Sequence, residues 1–255
     1  MTPAEVVQQR APWPRAVLAQ AQVELRLTVR RGESVLLTLG IPVLLLVFFS
    51  VVDVLPLPEG TDDAVDFLTP GILALAVMST AMVSLGIATG FERQYGVLKR
   101  LGTTPLGRRA LLAAKTLAIV AIELVQVAVL AAVALALGWR PEGSLLPALA
   151  AALLGTVAFA GLGLLMAGTL RGEVTLAAAN GLYLVLLLLG GMVFPLDRLP
   201  GALRAVAELL PAAALSAALD GALDAAGSVP GKAWAVLAVW AVAAPAVAAA
   251  TFRWE

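Results

Sequence analysis

Few side chains in this sequence could do chemistry in an apolar setting. Glu123 and Gln126 lie one helical turn apart, on much the same face, in the apolar run from Leu111 to Leu137. An ionisable group at that depth is costly and normally faces protein or a water-filled path. Two readings of Glu123 stay open: a pathway or substrate contact, or an acid whose hydrogen bond joins two helices. Lys115 lies near enough to the end of the same run for its ammonium to reach the interface, which would need no partner in the core. Histidine and cysteine are absent. Imidazole dyads and triads, thiolate chemistry, disulfides and zinc sites built from those ligands are therefore excluded, and no metal site is expected. No GxxxxGK[ST] loop occurs, since the single Gly231-Lys232 pair is followed by Ala233, so the chain is not expected to be an ATPase itself. Neither an H-E-x-x-H helix nor a G-x-S-x-G elbow is present. No residue is assigned a catalytic role, and the chain is not expected to be an enzyme.

The elements that must hold these residues are membrane helices. Apolar residues make up 61% of the 255, and the mean hydropathy is +0.96, against roughly 45–50% apolar with glycine included in soluble domains. Seventeen basic and seventeen acidic residues give a formal charge of zero, so neither a nucleic-acid surface nor broad electrostatic steering is indicated. A helix needs about 20 apolar residues to cross about 30 Å of hydrocarbon. Six stretches qualify: Val35 to Leu55, Phe67 to Gly90, Leu111 to Leu137, Leu145 to Leu170, Val174 to Phe194, and Lys232 to Phe252. Together they take up more than half the chain and leave no room for a separate soluble domain. The expected organisation is an N-terminal segment over 1–34 followed by one six-span domain over 35–255. The first apolar run has no small-residue cleavage site behind it, so no cleavable signal is expected.

Basic loops stay in the cytoplasm. Residues 1–34 carry Arg10, Arg15, Arg26, Arg30 and Arg31, and the loop after the second span carries Arg93, Lys99, Arg100, Arg108 and Arg109. The loop after the first span has no basic residue but holds Glu59, Asp62, Asp63 and Asp66. With Lys115, Arg171 and Arg253, 13 of the 17 basic residues fall on one side. Both termini are therefore expected in the cytoplasm, with the chain in the cell's inner (plasma) membrane.

Residues 13–31 put Leu18, Ala21, Leu25 and Val29 on one side of a helix and Arg15, Gln22, Arg26 and Arg30 on another, as an interfacial helix would. Glu24 and Gln20 interrupt the apolar side, and a solvated basic tail is the alternative. From Pro195 to Gly231 the chain is apolar, but prolines at 195, 200, 211 and 230 cut it into pieces too short to cross. Two short helices that dip into the outer leaflet and return fit this pattern, provided protein buries their backbone ends. Gly86 and Gly90 form a GxxxG pair that would let another helix approach closely. Trp139, Trp234, Tyr95 and Trp254 fall near span ends, where interfacial anchors are expected.

The polar, basic segment from Gly90 to Lys115, GFERQYGVLKRLGTTPLGRRALLAAK, carries the motif Glu92-Arg93, Gly96, Leu98-Lys99-Arg100 and Thr104-Pro105. Beyond the fifth span lie Gly191, Phe194-Pro195, Leu199-Pro200 and Pro211. In both regions the sequence resembles the permease subunit of type 2 ATP-binding-cassette (ABC) exporters, the class that includes drug-resistance and polysaccharide-export permeases. The resemblance implies that Glu92, Arg93, Gly96, Leu98, Lys99, Arg100, Thr104 and Pro105 form a coupling helix seated in the ATPase subunit. It implies that Gly191, Phe194, Pro195, Leu199, Pro200 and Pro211 belong to outer re-entrant helices, and that the N-terminal helix is an elbow helix. Departures occur at Leu210, where the family usually has a polar residue, at Ala213 and Ala214 in place of an aromatic, and near Asp220 and Gly221, where a closing basic residue is missing.

The expected fold is all-α, with six spans, an interfacial helix, a coupling helix and outer re-entrant helices. The expected function is that of a permease exporting an amphipathic, lipid-like or drug-like substrate, with a second permease copy or paralogue and an ABC ATPase subunit as partners. ATP and Mg would sit on that partner, leaving no cofactor in this chain and no role for nucleic acid. A proton- or ion-coupled carrier with Glu123 as its proton site is the alternative. Two inverted halves would favour the carrier, and no such repeat is visible.

Overall fold

The computed structural model describes residues 12–30, 32–52, 64–102, 107–192, 196–224 and 228–253. Among them the regular structure is entirely helical. In chain order the α-helices are α1 (Trp13–Arg30), α2 (Gly32–Val51), α3 (Ala64–Met78), α4 (Leu85–Gln94), α5 (Val97–Gly102), α6 (Arg108–Ala136), α7 (Leu145–Thr169), α8 (Gly172–Leu189), α9 (Gly201–Ala207), α10 (Pro211–Leu223) and α11 (Gly231–Thr251). A π-helical turn, Ser79–Ser84, joins α3 to α4 within one continuous helix.

Among the described residues five helices are long and apolar enough to cross a membrane: Ala64–Gln94, Arg109–Ala136, Leu145–Thr169, Gly172–Leu189 and Gly231–Thr251. They match the second to sixth expected spans. The first expected span corresponds to α2, a helix of 20 residues that holds the apolar stretch Thr38–Val51; residues 53–55 lie outside the described residues. The fifth span ends earlier than its apolar run suggests, at Leu189 instead of Phe194, because Gly191 adopts φ +70° and turns the chain. Only glycine takes that conformation without a Cβ penalty.

Helix α7 is the hub, flanked by α4, α10 and α11. Small residues permit this. A Cβ on Gly163 would lie 2.6 Å from the Met82 carbonyl oxygen, and one on Gly86 would lie 3.1 Å from Gly163 Cα, so the two backbones touch. Gly90, the other half of the GxxxG pair, meets Thr175 of α8 at 3.1 Å by the same measure. Between membrane helices such approach yields dispersion contact where no hydrophobic driving force exists.

Two details differ from the sequence reading. On α1 the packed face is Val17 and Ala21 against Ala110 and Ala114 of α6, while Leu18 and Val29 are exposed. Trp139 is buried in the core instead of standing at an interface: Gly138, at φ +104°, folds the chain back so that the Trp139 N–H donates to the Ala134 carbonyl at 2.9 Å.

Candidate functional site

The segment from Glu92 to Arg109 is built on the end of α4. Tyr95 ends that helix, and Gly96 at φ +71° reverses the chain into α5. Leu98 is fully buried in the main core and pins α5 to the helices, while Lys99 and Arg100 on the same short helix are exposed. Tyr95, also exposed, stacks on Phe91 with ring centroids 6.0 Å apart.

Glu92 and Arg93 point into the structure. The Lys115 ammonium donates to Glu92 Oε2 at 2.6 Å and to Glu24 Oε2 at 3.0 Å. Gln20 adds a donation to Glu24 Oε1 at 2.9 Å. Lys115 therefore does not snorkel: its side chain is 1% exposed and lies between two carboxylates, one from α1 and one from α4. Glu24, which interrupts the apolar side of α1 in sequence, is the residue that fastens α1 to this cluster. Arg93 Nη1 donates to the carbonyls of Ala167 and Leu170 at 2.9 and 3.1 Å. These belong to the last turn of α7, where carbonyls lack helical partners and a cation is favoured. The Glu-Arg pair thus ties the end of α4 to α1 and α6 on one side and to α7 on the other. Thr104 and Pro105 lie outside the described residues.

At the other end of the bundle, Gly191 makes the turn after α8. Leu199 precedes α9, Pro200 caps it, and Pro211 opens α10 in the first turn, where a missing N–H costs nothing. Phe194 and Pro195 lie outside the described residues. The α9–α10 pair is bent by 81°. Glu208, in the bend, accepts from Lys232 at 2.5 Å and Arg204 at 2.9 Å; these bonds, Lys232 first, hold its carboxyl below the usual range. Trp240 of α11 donates to the Leu209 carbonyl at 2.9 Å. The backbone N–H groups of Gly143 and Ser144 cap the last carbonyls of α10, donating to Leu223 at 3.1 Å and Ala222 at 2.8 Å.

Gln126 is buried and satisfied on both sides. Its amide donates to the Thr38 carbonyl of α2 at 2.7 Å and accepts from the Thr80 hydroxyl at 3.0 Å. Thr80 belongs to the π-turn, a feature with no distinctive residue pattern, which sequence reasoning missed. Glu123 accepts from the Thr156 hydroxyl of α7 through Oε2. Its Oε1 has no partner among the described residues.

The ABC-2 type transporter model matches residues 15–223, from within α1 to the last residue of α10. The chain belongs to the ABC-2 type transporter family. It is an integral, multi-pass membrane protein and a transport component. The match takes in both motif regions, the α5 segment and the α9–α10 pair. No curated protein matches the chain.

Proposed function

We propose that this chain is the membrane-spanning half of an ATP-driven exporter, with α5 as the helix that receives the motion of a separate ABC ATPase subunit. The observation that carries this reading is the mounting of α5. Its basic residues Lys99 and Arg100 face outward, while Leu98 beneath them is fully buried. The helix before it is tied through Glu92 and Arg93 to three other helices. A partner pressing on α5 would therefore move the spans and not merely bend a loop. Charged contacts at such a rim steer association and fix register.

In this reading ATP and Mg belong to the partner, two permease chains, identical or paralogous, enclose the pathway, and α5 and both termini are cytoplasmic. The face bearing α9 and α10 is the outer one. Re-entry of that pair is supported by its bend and by the contact of α10 with α7: a Cβ on Gly155, well inside α7, would meet Leu215 at 2.9 Å, while the C-terminal end of α10 meets Gly143 and Ser144 just before α7 begins. The scarcity of charge within the spans favours an amphipathic, lipid-like or drug-like substrate, consistent with efflux and drug resistance. The carrier alternative gains nothing from Gln126, whose amide joins α2 to the π-turn.

The double variant Lys99→Glu/Arg100→Glu tests the reading. The permease should insert and melt as wild type, because neither residue belongs to the buried cluster, yet retain several-fold less ATPase on purification and lose ATP-driven export. Retention and export at wild-type level would refute a coupling role for α5.

A further inference from the structure

Glu123 lies about 20 Å from either end of α6, counting 1.5 Å per residue, so it is near mid-span. A shallow cleft with about 20 Å³ of enclosed space runs past it between α3, α6 and α7. Its inner wall includes Val77, Glu123 and Thr156, all buried, and its rim includes Leu124, Leu149 and Leu153, all exposed. One carboxyl oxygen of Glu123 is spent on Thr156 and the other has no partner among the described residues, although Glu123 is only 4% exposed. A buried polar atom left without a partner in so apolar a setting is costly, and a ligand that supplies the missing hydrogen bond recovers that cost.

We propose that this cleft is a binding site for a hydroxyl-bearing lipophile that enters from the hydrocarbon of the bilayer, its hydroxyl on Glu123 Oε1 and its chain along Leu124, Leu149 and Leu153. A hydroxyl fits because it both donates and accepts, and so satisfies that oxygen whichever form the carboxyl takes. An apolar chain fits because every side chain at the rim is aliphatic. The enclosed space, about 20 Å³, has room for one water-sized group and is far below the roughly 300–1,000 Å³ of sites that enclose a whole drug-sized ligand, so the cleft takes only the hydroxyl of a longer molecule whose tail stays in lipid along the rim. The site does not depend on the ATP-driven export reading.

The test uses the full chain in proteoliposomes without ATP, probed with a photoreactive hexadecanol carrying a diazirine close to its hydroxyl end. The matching photoreactive hexadecane, which lacks the hydroxyl, serves as control. The alcohol should label α6 and α7 at Leu124, Leu149 or Leu153 several-fold more than the alkane, and plain hexadecanol should compete. Glu123→Gln, which keeps a donor and an acceptor, should retain labelling; Glu123→Leu should reduce it to the alkane level. Leu153→Trp, a substitution at the exposed rim that leaves the carboxyl in place, should block labelling by filling the mouth. Equal labelling by alcohol and alkane would overturn the site and leave an ordinary lipid-facing groove, as would undiminished labelling in Glu123→Leu. Should Glu123→Leu fail to fold, the competition and Leu153→Trp decide alone: labelling that hexadecanol does not displace, or that Leu153→Trp does not reduce, overturns the proposal. A negative result here leaves the Lys99 and Arg100 variants as they stand, so the two readings fail separately.

Discussion

Lysine and glutamate meet at both ends of this molecule, under opposite conditions. Beside α5, Lys115 is 1% exposed and its partners Glu24 and Glu92 are 13% and 15% exposed. Beside the α9–α10 bend, Glu208 is 30% exposed and its partners Lys232 and Arg204 are 57% and 49% exposed. The first cluster joins three helices distant in sequence, with two acids on one buried ammonium, so removing the base strands two carboxylates together. The second joins neighbouring elements in reach of water, where a lost partner is replaced by solvent. The same residue types therefore serve as a structural joint at one end and a weak tether at the other.

The largest effect expected from breaking this contrast is at Lys115. Removing one partner of a buried ion pair typically costs about 3–5 kcal/mol, so Lys115→Met should markedly lower the melting temperature in detergent and the yield of folded protein. Adding Glu24→Gln and Glu92→Gln to the same chain should recover most of that loss, since no stranded charge remains. A Lys115→Met protein as stable as wild type would show that the cluster is not a joint.

Next in size are the two turn glycines, one near each cluster. Left-handed backbone costs a residue with a Cβ roughly 1–2 kcal/mol, and both Gly96 and Gly191 sit there. Gly96 has open space around its missing side chain, whereas a Cβ on Gly191 would come within 3.1 Å of Leu196 Cγ. Gly191→Ala should therefore lower the melting temperature more than Gly96→Ala does. Gly96→Asn should recover part of the loss, because asparagine tolerates that conformation. Equal losses at the two sites would mean that crowding by Leu196 contributes nothing.

Much of this was legible in the sequence because it rests on local chemistry. Long apolar runs gave five of the crossing helices to within a few residues at most ends, and the motif glycines fell where the chain turns. What could not be read depends on partners far apart. Lys115 and Glu24 are separated by 91 positions, and nothing in the run around Lys115 distinguishes a lysine that reaches the interface from one that two acids hold inside. The same holds for Arg93, whose partners are backbone carbonyls of α7 and so carry no residue signature. Glu92 is likewise turned inward, toward Lys115, whereas Lys99, Arg100 and Arg109 of the same segment are exposed.

The smallest effect is expected at Glu208, and its pH dependence sharpens the contrast. Bonds from Lys232 and Arg204 hold its folded carboxyl below the usual value of 4.5. A group depressed in the folded state adds stability above its unfolded pKa, and loses that contribution as pH falls through the folded value. Wild type should therefore melt slightly above Glu208→Gln at neutral pH, with the gap closing as pH drops below about 4.5 toward the lower folded pKa. Added salt should narrow the same gap, because exposed charges are screened within about 10 Å at 0.1 M ionic strength. The Lys115→Met deficit should survive that salt, since burial shields its partners from the ions. A gap at Glu208 that stays constant through acid would remove the ion pairs as its cause, and a Lys115→Met deficit that vanishes in salt would make the two clusters alike.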